Sequence, residues 1–511
     1  MPETTEKRRK AIRIAVILLI FLAGFLLRLN YAAKTDIYTR QHDIGRIGSS
    51  GHIGYIQYIC ENGRLPDFDV RTKWQFYHPP LHHAVAAVWV KIQTLCGAEL
   101  YDAMMGVRWL TTLYSTLTMF VFYRLLRLLG HDGLSLYVPF ALIAFHPTFI
   151  ILAGSVNNDC LAVTLAFTAM YFAVRWYKTR GWGAIIGLGL SIGLAMLTKL
   201  SYWYLAPATA VMFLVVLIND KNKKRVVGQY CAFGAVCVPT GLFWSVRNLI
   251  GWGVPLNYVP LLSKDHEQYV GFRSFGERIF DVLSSFKEDV YICRGTMGNS
   301  FFEYNLAAAI IKSSVFGEFR LGTPASAWTL VISNAILICF TVAAAIWIFA
   351  KNIRPTLLRS WFLLLWLTVM GSYVAFAFAY PHDCSMDFRY IVPSLGVGLV
   401  TVAEYLRSGK CTTVKIAVTA VAAVFCVPAV LIGSPQYPSG EYGRALMYVA
   451  VSLIGGFMIQ RLVSDVRGRG DVGGRVRLGV AEVGGLGHGA GGVGRAELLG
   501  GLLLELDRVD G

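Results

Sequence analysis

The stretch "PPLHHAVAAVWVKI", residues 79–92, decides how this chain is threaded. It is apolar enough to suggest a membrane span, yet it opens on two prolines, carries two histidines and a lysine, and falls short of the ~20 residues that a bilayer-crossing helix needs. Read as an amphipathic helix lying on the membrane surface, it leaves the basic runs "EKRRK", "YRLLR", "RWYKTR", "DKNKKR", "KNIRPTLLR" and "YLRSGK" in alternate loops, on the cytoplasmic side with both termini. Counted as a span, it would flip every later loop and put most of those runs outside.

The setting around that pivot is plain from composition. Of 511 residues, 55% are hydrophobic and only 15% charged, and the mean hydropathy is +0.53, which exceeds what a soluble chain of this length needs for its core. The fold class expected is an all-α polytopic membrane protein. About twelve apolar blocks approach spanning length: 11–29, 107–125, 134–153, 160–174, 184–197, 203–218, 226–246, 328–349, 361–380, 391–406, 416–432 and 446–459. The first has a basic start and a long apolar run without a small-residue cleavage site, so it reads as an uncleaved span. A formal net charge of +16 raises the question of nucleic acid, but the cations lie in short runs between apolar blocks and not on one face. The expected partner is the membrane, with no nucleic acid.

Domain organisation follows. Residues 1–465 form the membrane domain, with a first outer loop at 30–106 and a long one at 247–327 whose "FGERIFDVLSSFKED" predicts amphipathic helices covering a site, Phe280, Val282, Leu283 and Phe286 facing lipid or protein. Residues 466–511 turn abruptly to Gly, Val, Arg and Leu, a composition that builds no core and reads as a disordered tail or as a GC-rich gene translated out of frame.

Nearly all the distinctive polar residues fall in the outer loops or at the helix ends beside them. In "YTRQHDIGRIGSSGHIGYI", residues 38–56, Asp43 is placed to act as a general base, with Arg40 and His42 beside it; a solvated loop acid is the plainer alternative. Asp67 and Asp69, in "LPDFD", read as a surface turn. His78 and His82 lie four apart and would share one helix face, as two metal ligands would, but no third ligand accompanies them, and headgroup-zone anchors fit equally well. The aromatics of "KWQFYH" suit an interfacial belt or a sugar-stacking wall. Cys60, Cys96, Cys293 and Cys384 face the outside without a readable pairing, and the cysteines inside spans behave as small apolar residues. A secondary transporter or lipid-carrier translocase is the other class that the hydropathy allows. It would put its charges in mid-span on repeated halves, a pattern not evident here.

The order of these parts resembles a known family. A cytoplasmic N-terminus, one span, an outer loop opening on an Asp, a surface helix after "YHPPLHH", then "VRWLTTLYSTLTMFVFYRLLRLLG", "NND" at residues 157–159, "AMLTKLSYW" around Lys199, "VRNLIGWGVPLNY" from Val246 and "DFRYIVPSL" from Asp387 are similar to the GT-C membrane glycosyltransferases. The branch most resembled holds protein O-mannosyltransferases and lipid A aminoarabinose transferases. The resemblance spans approximately residues 11–410, and its motifs are short, so it rests on their order.

The resemblance implies a GT-C-like helical bundle with juxtamembrane helices outside the cytoplasm. It also implies transfer of a sugar from a polyprenyl-phosphate carrier to a lipid, glycan or protein acceptor at the outer face, with inversion. Asp43 would be the catalytic acid that deprotonates the acceptor hydroxyl, and Asp159 would orient the acceptor or hold a metal. Lys199 and Arg389 match positions that hold carrier phosphate, where cations stabilise the leaving group, and Arg247 would assist. Tyr390 beside Arg389, with His78 and Arg40 on the first outer loop, completes the expected substrate-binding set. "HPPL" and "QHDIG" depart from the better-known relatives, which leaves open the acceptor and a divalent ion, for which Asp43, Asp159, His78 and His82 are the candidate ligands. The compact architecture inclines to a bacterial plasma membrane.

Overall fold

The structure of the protein, a computed structural model, describes residues 2–38, 44–294, 301–320, 324–350 and 356–408, with 454–456, 458–460, 462 and 463. Arg40, His42 and Asp43 therefore lie outside the described residues, as do the expected span at 416–432, most of that at 446–459, and the tail. Met1–Leu462 form one compact unit and Val463–Gly511 another, of which only residue 463 is described.

Seventeen helices are described. They are α1 (Pro2–Lys34), α2 (Gly51–Asn62), α3 (Leu81–Leu95), α4 (Leu100–Met105), α5 (Val107–Leu128), α6 (Leu134–Phe145), α7 (Pro147–Ala153), α8 (Asp159–Thr179), α9 (Trp182–Thr198), α10 (Leu205–Asn219), α11 (Lys223–Trp252), α12 (Phe275–Phe280), α13 (Val282–Glu288), α14 (Leu306–Phe316), α15 (Pro324–Ala350), α16 (Leu357–Ala379) and α17 (Pro393–Ser408). The only ladder among the described residues is a two-stranded antiparallel ribbon, β1 (Cys293–Arg294) with β2 (Phe301–Phe302). Among the described residues, six helical stretches are long and apolar enough to cross a bilayer: Lys10–Lys34, Asp159–Thr179, Leu200–Asn219, Lys223–Trp252, Ala327–Ile348 and Leu357–Ala379. The bent pair α6 and α7 makes a seventh if it is one span. The protein is an all-α polytopic membrane protein, because helices alone satisfy their own backbone groups in lipid. The expected count of about twelve is not reached among the described residues, where α9 and α17 have 17 and 16 residues.

The bend between α6 and α7 has a local cause. Pro147 has no N–H to offer the Ile143 carbonyl, and the Thr148 N–H turns to His146 Nδ1 at 3.3 Å, so two carbonyls at the end of α6 lose their helical donors. Arg28, fully buried on α1, supplies the replacements: its guanidinium donates to Ile143 O at 3.0 Å, to Ala144 O at 2.7 Å, to Gly24 O at 2.8 Å and to Ser115 Oγ at 2.8 Å. A buried arginine is tolerated here because its donors are met by carbonyls and a hydroxyl.

Close helix approach fixes the next layer. Gly189 and Gly193, one turn apart on α9, face α11; a Cβ on Gly193 would meet Thr240 Cβ at 3.0 Å and the Cys237 carbonyl at 3.1 Å. This is the small-residue contact by which membrane helices pack without a hydrophobic drive of their own. α9 also forms an antiparallel hairpin with α8 across Arg180–Gly181, which brings the start of α8 level with the end of α9.

The pivotal segment 79–92 is the two-faced helix α3. Its 15 residues bury His82, His83, Ala86, Ala87 and Val90 and expose Val85, Val88, Ile92 and Leu95. In the long loop, α12 and α13 are broken at Asp281, with Phe280 and Leu283 exposed. α14, not expected from the sequence, is buried along most of its length.

Candidate active site

Asp159 opens α8, where a carboxylate complements the helix dipole, and Lys199 directly follows α9, where a cation does the same. The α8–α9 hairpin sets both at one level. Two asparagines then lock the geometry: Asn157 Oδ1 accepts the Asp159 N–H at 3.1 Å, and Asn158 Nδ2 donates to the Thr198 carbonyl at 2.7 Å, tying the start of α8 to the end of α9. The Lys199 ammonium is ion-paired to Asp159 Oδ1.

Arg389 arrives from the far side, on a single 3₁₀ turn between α16 and α17. Asp387 caps that turn, its Oδ1 accepting the Arg389 backbone N–H at 2.8 Å. The preceding loop is pinned by the Tyr373 hydroxyl donating to the Met386 carbonyl at 2.9 Å and by the Phe388 N–H donating to Ser313 Oγ at 2.8 Å. Its guanidinium then stands 3.5 Å from Asp159, 3.7 Å from the Asp387 carboxylate and 4.0 Å from Glu318, and donates to the Tyr390 hydroxyl at 3.1 Å. Lys199 and Arg389 both lean on the Tyr390 ring, at 4.4 and 5.0 Å from its centroid.

This cluster forms part of the wall of a cavity of about 960 Å³. Asp159, Lys199, Glu318, Arg389 and Tyr390 line it together with His52, His78, His266 and His382 and a run of aromatics that includes Trp74, Tyr77, Trp203, Trp244 and Tyr258. Charged groups set in a mostly apolar, aromatic wall are what a site for an amphipathic ligand requires. Behind it lies a further buried acid. Burial, with Glu318, Glu303 and Asp387 nearby, holds the Asp383 carboxyl well above the usual carboxylate range.

The histidines divide. His78 lines the cavity, stacks against His52 with centroids 5.3 Å apart and meets the tilted Tyr77 ring at 4.2 Å. His52 lies against His83 with rings 3° from parallel, and its Nδ1 is 2.8 Å from His83 Nε2, so one proton joins the two. His82 turns away from the cavity: its Nε2 lies 2.8 Å from the Val156 carbonyl, and burial pushes its pKa down to about 4. Burial likewise keeps His83 neutral, its pKa held well below the imidazole range. His78 and His82 thus do not converge, and no three His, Cys, Asp or Glu side chains among the described residues are grouped to hold a metal ion.

Arg247, expected to assist at a phosphate, lies outside the cavity lining, although its neighbours Trp244 and Asn248 are in it. Its guanidinium is stacked between Trp244 and Trp252, each 4.8 Å away, and donates to the Pro66 carbonyl and to Asn248 Oδ1 at 3.1 Å, clipping the first long loop to α11. Two acids that sequence reasoning passed over stand beside Arg389. Asp387 was signalled only by its place two residues before Arg389, a capping position; Glu318, in a loop after α14, had no local signal.

The family of dolichyl-phosphate-mannose-protein mannosyltransferases matches residues 77–244, about a third of the chain, a segment that contains His78, Asp159 and Lys199. Among solved structures, the chain is similar to ArnT from Cupriavidus metallidurans in the apo state, at 12% identity and a TM-score of 0.47 over 90% of this chain and 76% of that one. It is similar to the same protein bound to undecaprenyl phosphate at 13% identity and a TM-score of 0.47, over 90% and 71%. No curated protein matches the sequence.

Proposed function

We propose that this protein is an integral membrane glycosyltransferase of the GT-C kind, which transfers a sugar from a polyprenyl-phosphate carrier to an acceptor at the extracytoplasmic face of a cell membrane. The observation that carries the reading is the meeting of Asp159, Lys199 and Arg389 on one cavity of about 960 Å³ with an aromatic wall. The family match over residues 77–244 supports it. The alternation of basic loops favours an extracytoplasmic site, and a bacterial plasma membrane is the setting we infer.

In this reading the carrier phosphate lies against Lys199 and Arg389, which stabilise the negative charge that grows on it as the glycosidic bond breaks. The forked guanidinium grips two phosphate oxygens, and Lys199 adds a point charge. Tyr390, held beneath both cations, fixes their separation. His78 and the aromatic wall hold the sugar. Asp159 orients the cations and, through Lys199, the phosphate. Asp43, which precedes α2 in the sequence, takes the proton of the acceptor hydroxyl as that oxygen attacks the anomeric carbon from the face opposite the phosphate, which gives inversion. Arg40 orients that base or the acceptor.

The test is transfer of radiolabelled sugar from synthetic polyprenyl-phosphate donors by the purified protein in lipid nanodiscs, with Asp43→Asn beside it. Transfer by the parent and a loss of about 10²–10⁴-fold in the variant are expected. Undiminished transfer by Asp43→Asn would remove it from the base role, and no transfer from any such donor by the parent would sink the reading.

A further inference from the structure

We infer that Gln75 hydrogen-bonds a hydroxyl of the transferred sugar and so helps to set which sugar the cavity accepts. The inference rests on the reading of this cavity as the seat of a lipid-linked sugar, and it starts from a residue at odds with its surroundings. Gln75 sits in the turn before α3 at φ +68°, in the left-handed region, where only one other non-glycine residue is found among the described residues. Glycine fits such a corner without strain, and a long side chain does not. The side chain is only 4% exposed, and its amide oxygen has no hydrogen-bond partner among the described residues. An unbonded buried amide oxygen is costly in its own right. Strain and an orphaned oxygen at one residue point to a partner that arrives from outside the protein.

The position of Gln75 says what that partner is. It lines the cavity beside Trp74, Tyr77 and His78. The turn that carries it is fastened on both sides: the Gly51 N–H at the start of α2 donates to the Trp74 carbonyl at 3.0 Å, and Phe76 is fully buried with its ring 4.6 Å from that of Tyr55. A fixed backbone thus presents the amide, and because the last torsion of glutamine is broad, either its donor or its acceptor end can turn to a ligand. From His52 to Pro79, the described residues that line the cavity include no carboxylate, lysine or arginine; Asp159, Lys199, Glu318 and Arg389 bring its charge from later in the chain. The phosphate belongs with the cations, which leaves the first-loop wall to the sugar. There the aromatic rings meet the sugar's C–H faces and the amide meets one of its O–H groups.

The test compares donors that differ by one oxygen. Undecaprenyl phosphates carrying neutral hexoses and pentoses are ranked as donors for the full-length protein in nanodiscs, and the best is set beside its single-deoxy analogues. kcat/KM is then measured for the parent, Gln75→Gly and Gln75→Asn. Glycine suits the left-handed corner and removes the amide; asparagine also tolerates that corner and shortens the reach by one methylene. In the parent, deleting the hydroxyl that Gln75 bonds should cost roughly tenfold. Both variants should already show that roughly tenfold loss with the complete donor and lose nothing further when the same hydroxyl is deleted, while the other deoxy positions behave as in the parent. Ratios between donors within one variant do not depend on how much of it is folded. Bare undecaprenyl phosphate, which has no sugar to read, should bind all three proteins alike. Equal losses at every deoxy position in parent and variants, or a parallel loss of bare undecaprenyl phosphate binding, would overturn the proposal and leave the transfer reading intact. No transfer by the parent from any of these donors would remove both.

Discussion

Lys312 and Lys199 are both buried lysines touching a carboxylate, and their surroundings could hardly differ more. The Lys312 ammonium donates to Glu303 Oε2 at 2.6 Å, to Ser285 Oγ at 2.8 Å and to the Ser285 carbonyl at 3.2 Å, between the rings of Phe286 and Phe301. Glu303 is equally saturated: it accepts the backbone N–H groups of Tyr304 and Asn305 at 2.9 and 2.8 Å and the Ser285 hydroxyl at 2.6 Å. Both side chains are fully buried. Lys199 shares its carboxylate with Arg389, rests on Tyr390, and faces a cavity large enough for a ligand. A closed ring of partners ties α13 and α14 to the β-ribbon. An ion cluster on a cavity wall has somewhere for a further anion to go. The difference lies in what completes the coordination of the charges, and not in their burial.

Breaking the closed pair should have the largest effect. Lys312→Ala leaves Glu303 charged and sealed among apolar groups, so the protein should lose about 3–5 kcal/mol of stability, measured as a fall in the thermal midpoint in nanodiscs. A midpoint like the parent's would mean that the two pairs are alike after all. At the cavity the loss should appear in turnover instead. Lys199→Ala and Arg389→Ala should each lower sugar transfer on the order of 10²-fold in a rate assay, while the thermal midpoint moves less than in Lys312→Ala. The reverse pattern, stability lost and transfer kept, would make that cluster architectural. The smallest change sharpens the contrast. Replacing both charges, Lys312→Met with Glu303→Gln, removes the stranded charge while keeping an oxygen for the Tyr304 and Asn305 N–H groups, and should restore most of the lost stability, because such pairs return little beyond their desolvation cost.

Much of this was legible in the chain, and the limits have physical causes. Hydropathy finds segments that avoid water, but it does not distinguish lipid from protein interior; α14 and the short α9 are as apolar as a span while lacking its length. Asp159, Lys199 and Arg389 could be picked out because the short motifs around them resemble those of a known family, and the structure brings the three together. Arg247 had the same signature, yet it stacks between two tryptophans outside the cavity, since position along the chain fixes the level of a side chain and not its bearing. The His78 and His82 spacing is real, but only His82 lies on α3, facing the Val156 carbonyl; His78 sits in the bend before the helix and lines the cavity. Glu318 left no mark because its partner Arg389 comes from a distant segment, and Glu303 and Lys312, only nine residues apart, have no spacing that marks a pair before Ser285 closes on both. Arg28 is the counterpart on α1: an arginine inside an apolar run looks costly until Pro147, far along the chain, frees the carbonyls that receive it.

The central claim is that the cations beside Asp159 hold a lipid phosphate. The most direct measurement is an experimental structure of the protein with undecaprenyl phosphate bound. The account predicts phosphate oxygens about 2.7–2.9 Å from both Lys199 Nζ and the Arg389 guanidinium. Phosphate density elsewhere, with Lys199 and Arg389 still closed on Asp159, would contradict it.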